Sequence, residues 1–175
     1  MSNFEIIFIS GVHGVGKSTF CSHIKEQYKL PFYTASSLIK EVKKSEVDFN
    51  KQVIDAENNQ NDLIIALNNL HPQSETILLD GHFCLNGIDG IIDVDINTFK
   101  SMKLKLIITL YDSPQKIDDR LLERDDKSLG IDKINSLQKR ELELAKITSD
   151  TLNISLCIIS ATDSLKDLTW IESFI

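Results

Sequence analysis

Gly11-Val12-His13-Gly14-Val15-Gly16-Lys17-Ser18 decides the reading of this chain. The stretch fits the pattern G-x-x-x-x-G-K-[ST] at every fixed position. Its flanks fit as well. Residues 4–9 (FEIIFI) form an apolar run rich in β-branched residues, of a length suited to a buried strand. Residues 19–28 (TFCSHIKEQY) read as a helix. A strand, a glycine loop and a helix in that order turn a pattern match into a physical site. Glycine lets the backbone wrap closely round a polyphosphate. Loop amides and the helix N-terminus then supply positive potential. Lys17 would bridge the terminal phosphates and the Ser18 hydroxyl would ligate Mg²⁺. The competing reading is a glycine-rich turn that binds nothing.

Composition bounds the rest. The chain has 175 residues, 42% of them hydrophobic and 26% charged, which suits one domain spanning 1–175 with a substantial core. A formal net charge of −7 speaks against a general nucleic-acid surface. Cys21, Cys84 and Cys157 are odd in number and sit in apolar surroundings, without metal or disulfide spacing. They read as reduced core residues of a cytoplasmic protein. No apolar run is long enough to span a membrane, and no basic segment precedes the first apolar run.

Strand-like and helix-like segments alternate along the chain. Residues 30–35 suggest a short second strand, after which Ser36 and Ser37 offer N-caps for a helix through residue 43. Residues 53–70 read as helical despite the polar stretch Asn58-Asn59-Gln60-Asn61. Residues 75–80 form a strand ending in an acid, and residues 104–110 another, closed by Asp112-Ser113-Pro114. Helices are expected over 114–124 and 132–152, a strand over 154–159 and a final helix over 163–174. The alternation predicts a parallel sheet covered by helices on both faces. Between residues 83 and 96 the turn signals Asn86-Gly87 and Asp89-Gly90 predict a small β-hairpin.

Two further features bear on chemistry. In Leu78-Leu79-Asp80-Gly81-His82, an acid ends a buried strand. Asp80 can hold the water shell of Mg²⁺, orient an attacking hydroxyl as a base, or simply cap a turn. Arg120 and Arg124 lie four apart, hence on one helix face. They can stabilise charge on a transferring phosphoryl group from a mobile lid, or belong to a solvated face with Glu123 and Asp125. His82 can contact a substrate phosphate or serve as a base near neutral pH, and His13 points towards the same region; each also reads as a partly buried structural histidine, the plainer reading for His13.

Together the loop GVHGVGKS, the strand end LLDG, the arginine pair and the closing Ile158-Ile159-Ser160-Ala161-Thr162 resemble the P-loop nucleoside and nucleotide kinase superfamily, in its adenylate-kinase-like branch. Their order and spacing cover nearly the whole chain. The resemblance implies a three-layer α/β sandwich whose five-stranded parallel sheet has the order 2-3-1-4-5. It implies ATP at Gly11, His13, Gly14, Val15, Gly16, Lys17, Ser18 and Thr19, with Ser160, Ala161 and Thr162 beside the adenine. It gives lid roles to Arg120 and Arg124, and Mg²⁺ to Ser18 and Asp80. It places the acceptor against Ser36, Ser37 and Lys40, with Gln60 and Asp62 as further candidates; His82 is this chain's own candidate for the acceptor where the family's arginine is missing. There are departures. Such kinases read D-G-F-P-R at the third strand, whereas this chain reads Asp80-Gly81-His82-Phe83-Cys84. Lys40 stands where they often carry an arginine, and a lysine lacks the bidentate grip. The lid is short and without zinc-type cysteines. The acceptor therefore stays open among a nucleotide, a nucleoside, another small alcohol or acid, and a macromolecular hydroxyl. The expected activity is transfer of the ATP γ-phosphate to a small acceptor with Mg²⁺; the alternative is an ATPase, or a nucleotide-dependent switch with a protein partner. A closed cavity between residues 36–62 and the P-loop would mark the kinase.

Overall fold

Ile6, Ile7, Phe8 and Ile9 are each almost fully shielded from solvent, because the strand that carries them, β1 (Glu5–Ser10), is covered on both faces. That is why its sequence is continuously apolar rather than alternating. The computed structural model describes residues 4–47 and 56–175. After β1 come α1 (Lys17–Tyr28), β2 (Phe32–Thr34), α2 (Ala35–Val47), α3 (Ala56–Asn69) and β3 (Thr76–Asp80). Then follow β4 (Cys84–Asn86), β5 (Ile91–Asp93), α4 (Ile96–Lys100), β6 (Leu104–Tyr111), α5 (Pro114–Asp125), α6 (Ile131–Leu152) and β7 (Ser155–Ser160). A 3₁₀ helix over Thr169–Phe174 closes the chain.

The main sheet is parallel, with the order β2-β3-β1-β6-β7. With the hairpin strands left out of the count this is the expected 2-3-1-4-5. Successive β1 residues point to opposite faces. Ile7 and Ile9 pack with Phe20, Ile24 and Ile117 on one side, and Ile6 and Phe8 pack with Leu38, Leu63 and Phe99 on the other. Register fixes the site: Ile9 lies opposite Asp80, so the loop leaving β1 and the acid ending β3 emerge side by side. Ligands of open α/β sheets bind at such strand ends.

The hairpin forms as expected, with Cys84 opposite Asp93 and Gly87 N–H donating to the Gly90 carbonyl at 2.8 Å. Three expectations need correction. The cap of α2 is Thr34, whose hydroxyl accepts from Ser37 N–H at 3.2 Å, so Ser36 and Ser37 sit in the first turn. No helix spans 163–174. Ser164 donates to the Ala161 carbonyl at 2.9 Å and Asp167 accepts from Thr169 N–H at 3.0 Å; such local side-chain bonds favour turns and leave only the 3₁₀ segment. Cys157 is only partly buried, because β7 is an edge strand, while Cys21 and Cys84 are buried; all three are free thiols. The start of the helix expected over 53–70 lies outside the described residues, and the polar stretch runs inside α3. Among the described residues no helix is long and apolar enough to cross a membrane.

Candidate active site

The loop from Gly11 to Gly16 needs its glycines at two positions above all. Gly11 has φ +143°, and a Cβ there would meet the Leu110 carbonyl oxygen at 2.7 Å. Gly16, with φ +113°, turns the chain into α1. Lys17 follows with its side chain only 5% exposed. Its ammonium donates to the carbonyls of Gly11 at 2.7 Å and Val12 at 3.3 Å, and lies 3.7 Å from Asp80. The Ser18 hydroxyl donates to Asp80 Oδ2 at 3.5 Å. Burial lowers the Lys17 pKa and raises that of Asp80, while each charge holds the other in its ionised form. The sequence-read trio of Lys17, Ser18 and Asp80 is therefore one cluster.

His82 and His13 differ. His82 is half-buried in the cavity wall, and burial, followed by the charges of Lys17 and His13, drives its pKa down to about 3. At that value the imidazole is neutral at pH 7. His13 is not the partly buried structural histidine expected: its side chain is 64% exposed, hydrogen-bonded to Arg124 and 3.7 Å from Asp125.

The arginine pair lies on α5 and both members line the cavity. Arg120 is anchored. It donates to Asp112 at 2.6 Å and to the Val15 carbonyl at 3.2 Å. Burial works to raise the Asp112 pKa, but Arg120, the Ser113 N–H and Lys116 outweigh it and hold the carboxyl below its usual range. Arg124 is more exposed and pairs with Asp125.

Beyond the P-loop opens a cavity of about 790 Å³, within the usual range for a small-molecule site. Lys17, Ser18, Thr19 and Asp80 form its phosphate end. Ser36, Lys40 and Gln60 lie in its far wall as expected, whereas Ser37 and Asp62 do not line it. Its floor is apolar. Phe8 and Phe99 stack edge to face with ring centres 5.4 Å apart, beside Ile39, Leu63 and Met102. Ala161 packs near Gly16, and Thr162 donates to Asp112 at 3.5 Å. Ser160 ends β7 beside them, so this segment borders the P-loop without entering the cavity wall.

Several contributors escaped the sequence reading. Lys43 and Asn59 are hydrogen-bonded in the cavity wall, and Gln60 is fixed by Thr98 at 2.7 Å. Gln138 brackets Asp112, accepting from its N–H at 3.1 Å and donating to its carbonyl at 2.9 Å. Glu141, 1% exposed, accepts from the backbone of Gly11, Phe83 and Cys84. A signal for both existed. Ile134, Leu137, Gln138, Glu141, Ala145 and Thr148 share the buried stripe of α6, so these two polar residues fall in phase with its apolar ones.

A glycine loop joined to a buried lysine, on a 2-3-1-4-5 parallel sheet, defines a P-loop protein. Residues 10–138 match the family model described as an AAA domain, and the chain belongs to that family. Solved structures share the fold. A gluconokinase from Sinorhizobium meliloti 1021 aligns with a TM-score of 0.51 and 14% identity, over 92% of this chain and 85% of that one. A Chloroflexus aurantiacus protein, assigned as a kinase without being established as one, gives 0.56 and 15%, over 99% and 97%. An uncharacterized protein from Eubacterium ventriosum gives 0.53 and 12%, over 98% and 99%. At these identities the likeness is one of fold. No curated protein matches in sequence.

Proposed function

We propose that this protein is an ATP-dependent kinase that phosphorylates a small molecule, with 1–175 acting as one catalytic domain in the cytoplasm. The observation that carries the reading is the single cavity of about 790 Å³. It joins Lys17, Ser18 and Asp80 at one end to Ser36, Lys40 and Gln60 at the other. A switch or a bare ATPase has no use for a second compartment with an apolar floor; the compartment is a cleft open to solvent on one side rather than the closed cavity expected. The gluconokinase among the fold neighbours supports the same reading.

The residues fit both ATP and Mg²⁺. The loop amides and the buried Lys17 suit a polyphosphate. A hydroxyl and a carboxylate 3.5 Å apart, Ser18 and Asp80, are the hard oxygen donors that Mg²⁺ takes. Mg²⁺, when bound, neutralises charge on the terminal phosphates. In the reaction an acceptor oxygen bonds to the γ-phosphorus as the bond to the bridging oxygen breaks, and ADP leaves. Lys17 holds the terminal phosphates against the charge that develops on the leaving group. Arg124, the more exposed of the two and paired with Asp125 at the rim, is the lid candidate, while Arg120 braces the loop itself. His82 serves as a neutral hydrogen-bonding wall. Most of the acceleration would come from positioning and electrostatics.

The test is ATP consumption with Mg²⁺, with and without a panel of nucleotides, nucleosides and small alcohols and acids. The reading expects one chemical class to stimulate consumption and to emerge phosphorylated. Consumption indifferent to every acceptor, or ATP binding without turnover, would move the protein to the ATPase or switch class.

A further inference from the structure

We propose that Glu141 is a positioning residue for phosphate transfer: its carboxylate fixes the phosphate-binding loop against the loop that follows β3. The inference rests on the kinase reading and adds to it a residue from a distant helix.

Glu141 projects from the middle of α6 and is 1% exposed. Its Oε1 accepts from Gly11 N–H at 3.0 Å and from Phe83 N–H at 2.9 Å. Its Oε2 accepts from Cys84 N–H at 2.9 Å and from the Cys84 thiol at 3.4 Å. All four donors belong to the two loops that wall the phosphate end of the cavity. One oxygen serves both walls at once, so their separation is set by a single atom.

What is held also matters. Gly11 holds a backbone conformation, φ +143°, that side-chain-bearing residues rarely adopt. Its carbonyl receives the Lys17 ammonium at 2.7 Å. Phe83 and Cys84 follow Asp80 by three and four residues. Glu141 thus pins one neighbour of each charged group in the Lys17–Asp80 pair without touching either group. Catalysis that depends on preorganised charge is sensitive to such restraint. Glutamine cannot stand in. With its oxygen in the Oε1 place its NH₂ faces the Cys84 N–H, and with its oxygen in the Oε2 place its NH₂ faces the N–H groups of both Gly11 and Phe83, so either orientation sets donor against donor.

The experiment is calorimetric titration of the intact protein with Mg·ATP, at a temperature where circular dichroism shows each variant fully folded. Glu141→Gln is expected to weaken ATP binding by about tenfold or more, because in either orientation its NH₂ is driven against an N–H that the carboxylate accepts, which displaces the loops. Glu143→Gln, on the exposed face of the same helix, should stay within about twofold. With the acceptor found by the panel, Glu141→Gln should lower kcat about a hundredfold while the acceptor KM moves less than about threefold. Wild-type ATP affinity and kcat in Glu141→Gln, with only a lowered Tm, would overturn the proposal and leave the residue a structural acid. Should Glu141→Gln not fold, Glu141→Asp decides. Its carboxylate is one methylene too short to reach both loops, so weakened ATP binding supports the proposal and unchanged binding overturns it. Failure of the wild-type protein to bind ATP is a different result, and would remove the kinase reading together with this extension of it.

Discussion

The two ends of the cavity are built differently. At the proposed phosphate end, Lys17 and Glu141 are buried and tied into backbone, Asp80 is held by Lys17 and Ser18, and Asp112 and Gln138 brace the loop from behind. At the other end, proposed for the acceptor, Lys40 is exposed on α2, and Ser36, Lys43, Asn59, Gln60 and Thr98 stand round a floor of Phe8, Ile39, Leu63 and Phe99. The first arrangement restrains a charge-rich site in fixed geometry. The second offers apolar area and a few polar handles, which is how a site selects one molecule among many. Phosphate chemistry is the same for every kinase of this fold, so the rigid end carries a general pattern. The acceptor differs from kinase to kinase, and the end that meets it carries none.

Breaking the rigid end should produce the largest effects. Lys17→Ala is expected to lower turnover about 10²–10³-fold while circular dichroism and Tm stay near wild type, since the lysine acts on developing charge. Asp80→Asn should follow, with a fall of about a hundredfold read as loss of Mg²⁺-stimulated turnover. Full activity in that variant would make Asp80 a turn residue. The acceptor end should respond in a different parameter. Lys40→Ala is expected to raise the acceptor KM about tenfold and to leave ATP binding unchanged, as loss of one charged hydrogen bond would do. A change confined to ATP affinity would join the two ends and erase the distinction.

The smallest expected effect concerns pH. The folded pKa of His82, about 3, lies below its ordinary value of 6.5, so between these values the unfolded chain binds the extra proton. This group's contribution is present above pH 6.5 and is lost as pH falls below it. Asp80 and Glu141 are shifted upwards and act in the opposite sense, so the useful quantity is a difference. Wild type should lose more Tm than His82→Gln between pH 7 and pH 5, and equal losses would contradict the buried, neutral imidazole. Turnover of His82→Gln at pH 7 should remain within about threefold of wild type if the ring is only a wall.

The sequence was most legible where one residue type is compulsory. Gly11, Gly16, Lys17 and Ser18 have fixed spacing because backbone geometry and phosphate chemistry permit few substitutes. The apolar runs marked the strands, the resemblance to the P-loop kinase superfamily supplied their order, and Asn86-Gly87 with Asp89-Gly90 announced the hairpin. Legibility failed where function rests on partners remote in sequence. Glu141 meets Gly11 across 130 positions and Phe83 across 58, and nothing local marks it except its phase on α6. Arg120 read as a lid arginine or as part of a solvated face with Glu123 and Asp125, because Asp112, its partner, looked like a strand-closing turn residue. The acceptor wall needed α4, a five-residue helix too short to announce itself, to deliver Phe99. At the end of the chain, Ser164 and Thr169 turned an apparent helix into turns by bonding locally.

The central claim, that one end of the cavity delivers phosphate to a molecule held at the other, is tested most directly by following the label of γ-³²P-ATP in the presence of each acceptor class. The account predicts that one class takes up the label as an organic phosphate and does so at the expense of inorganic phosphate release. Label appearing only as inorganic phosphate, whatever acceptor is supplied, would contradict it.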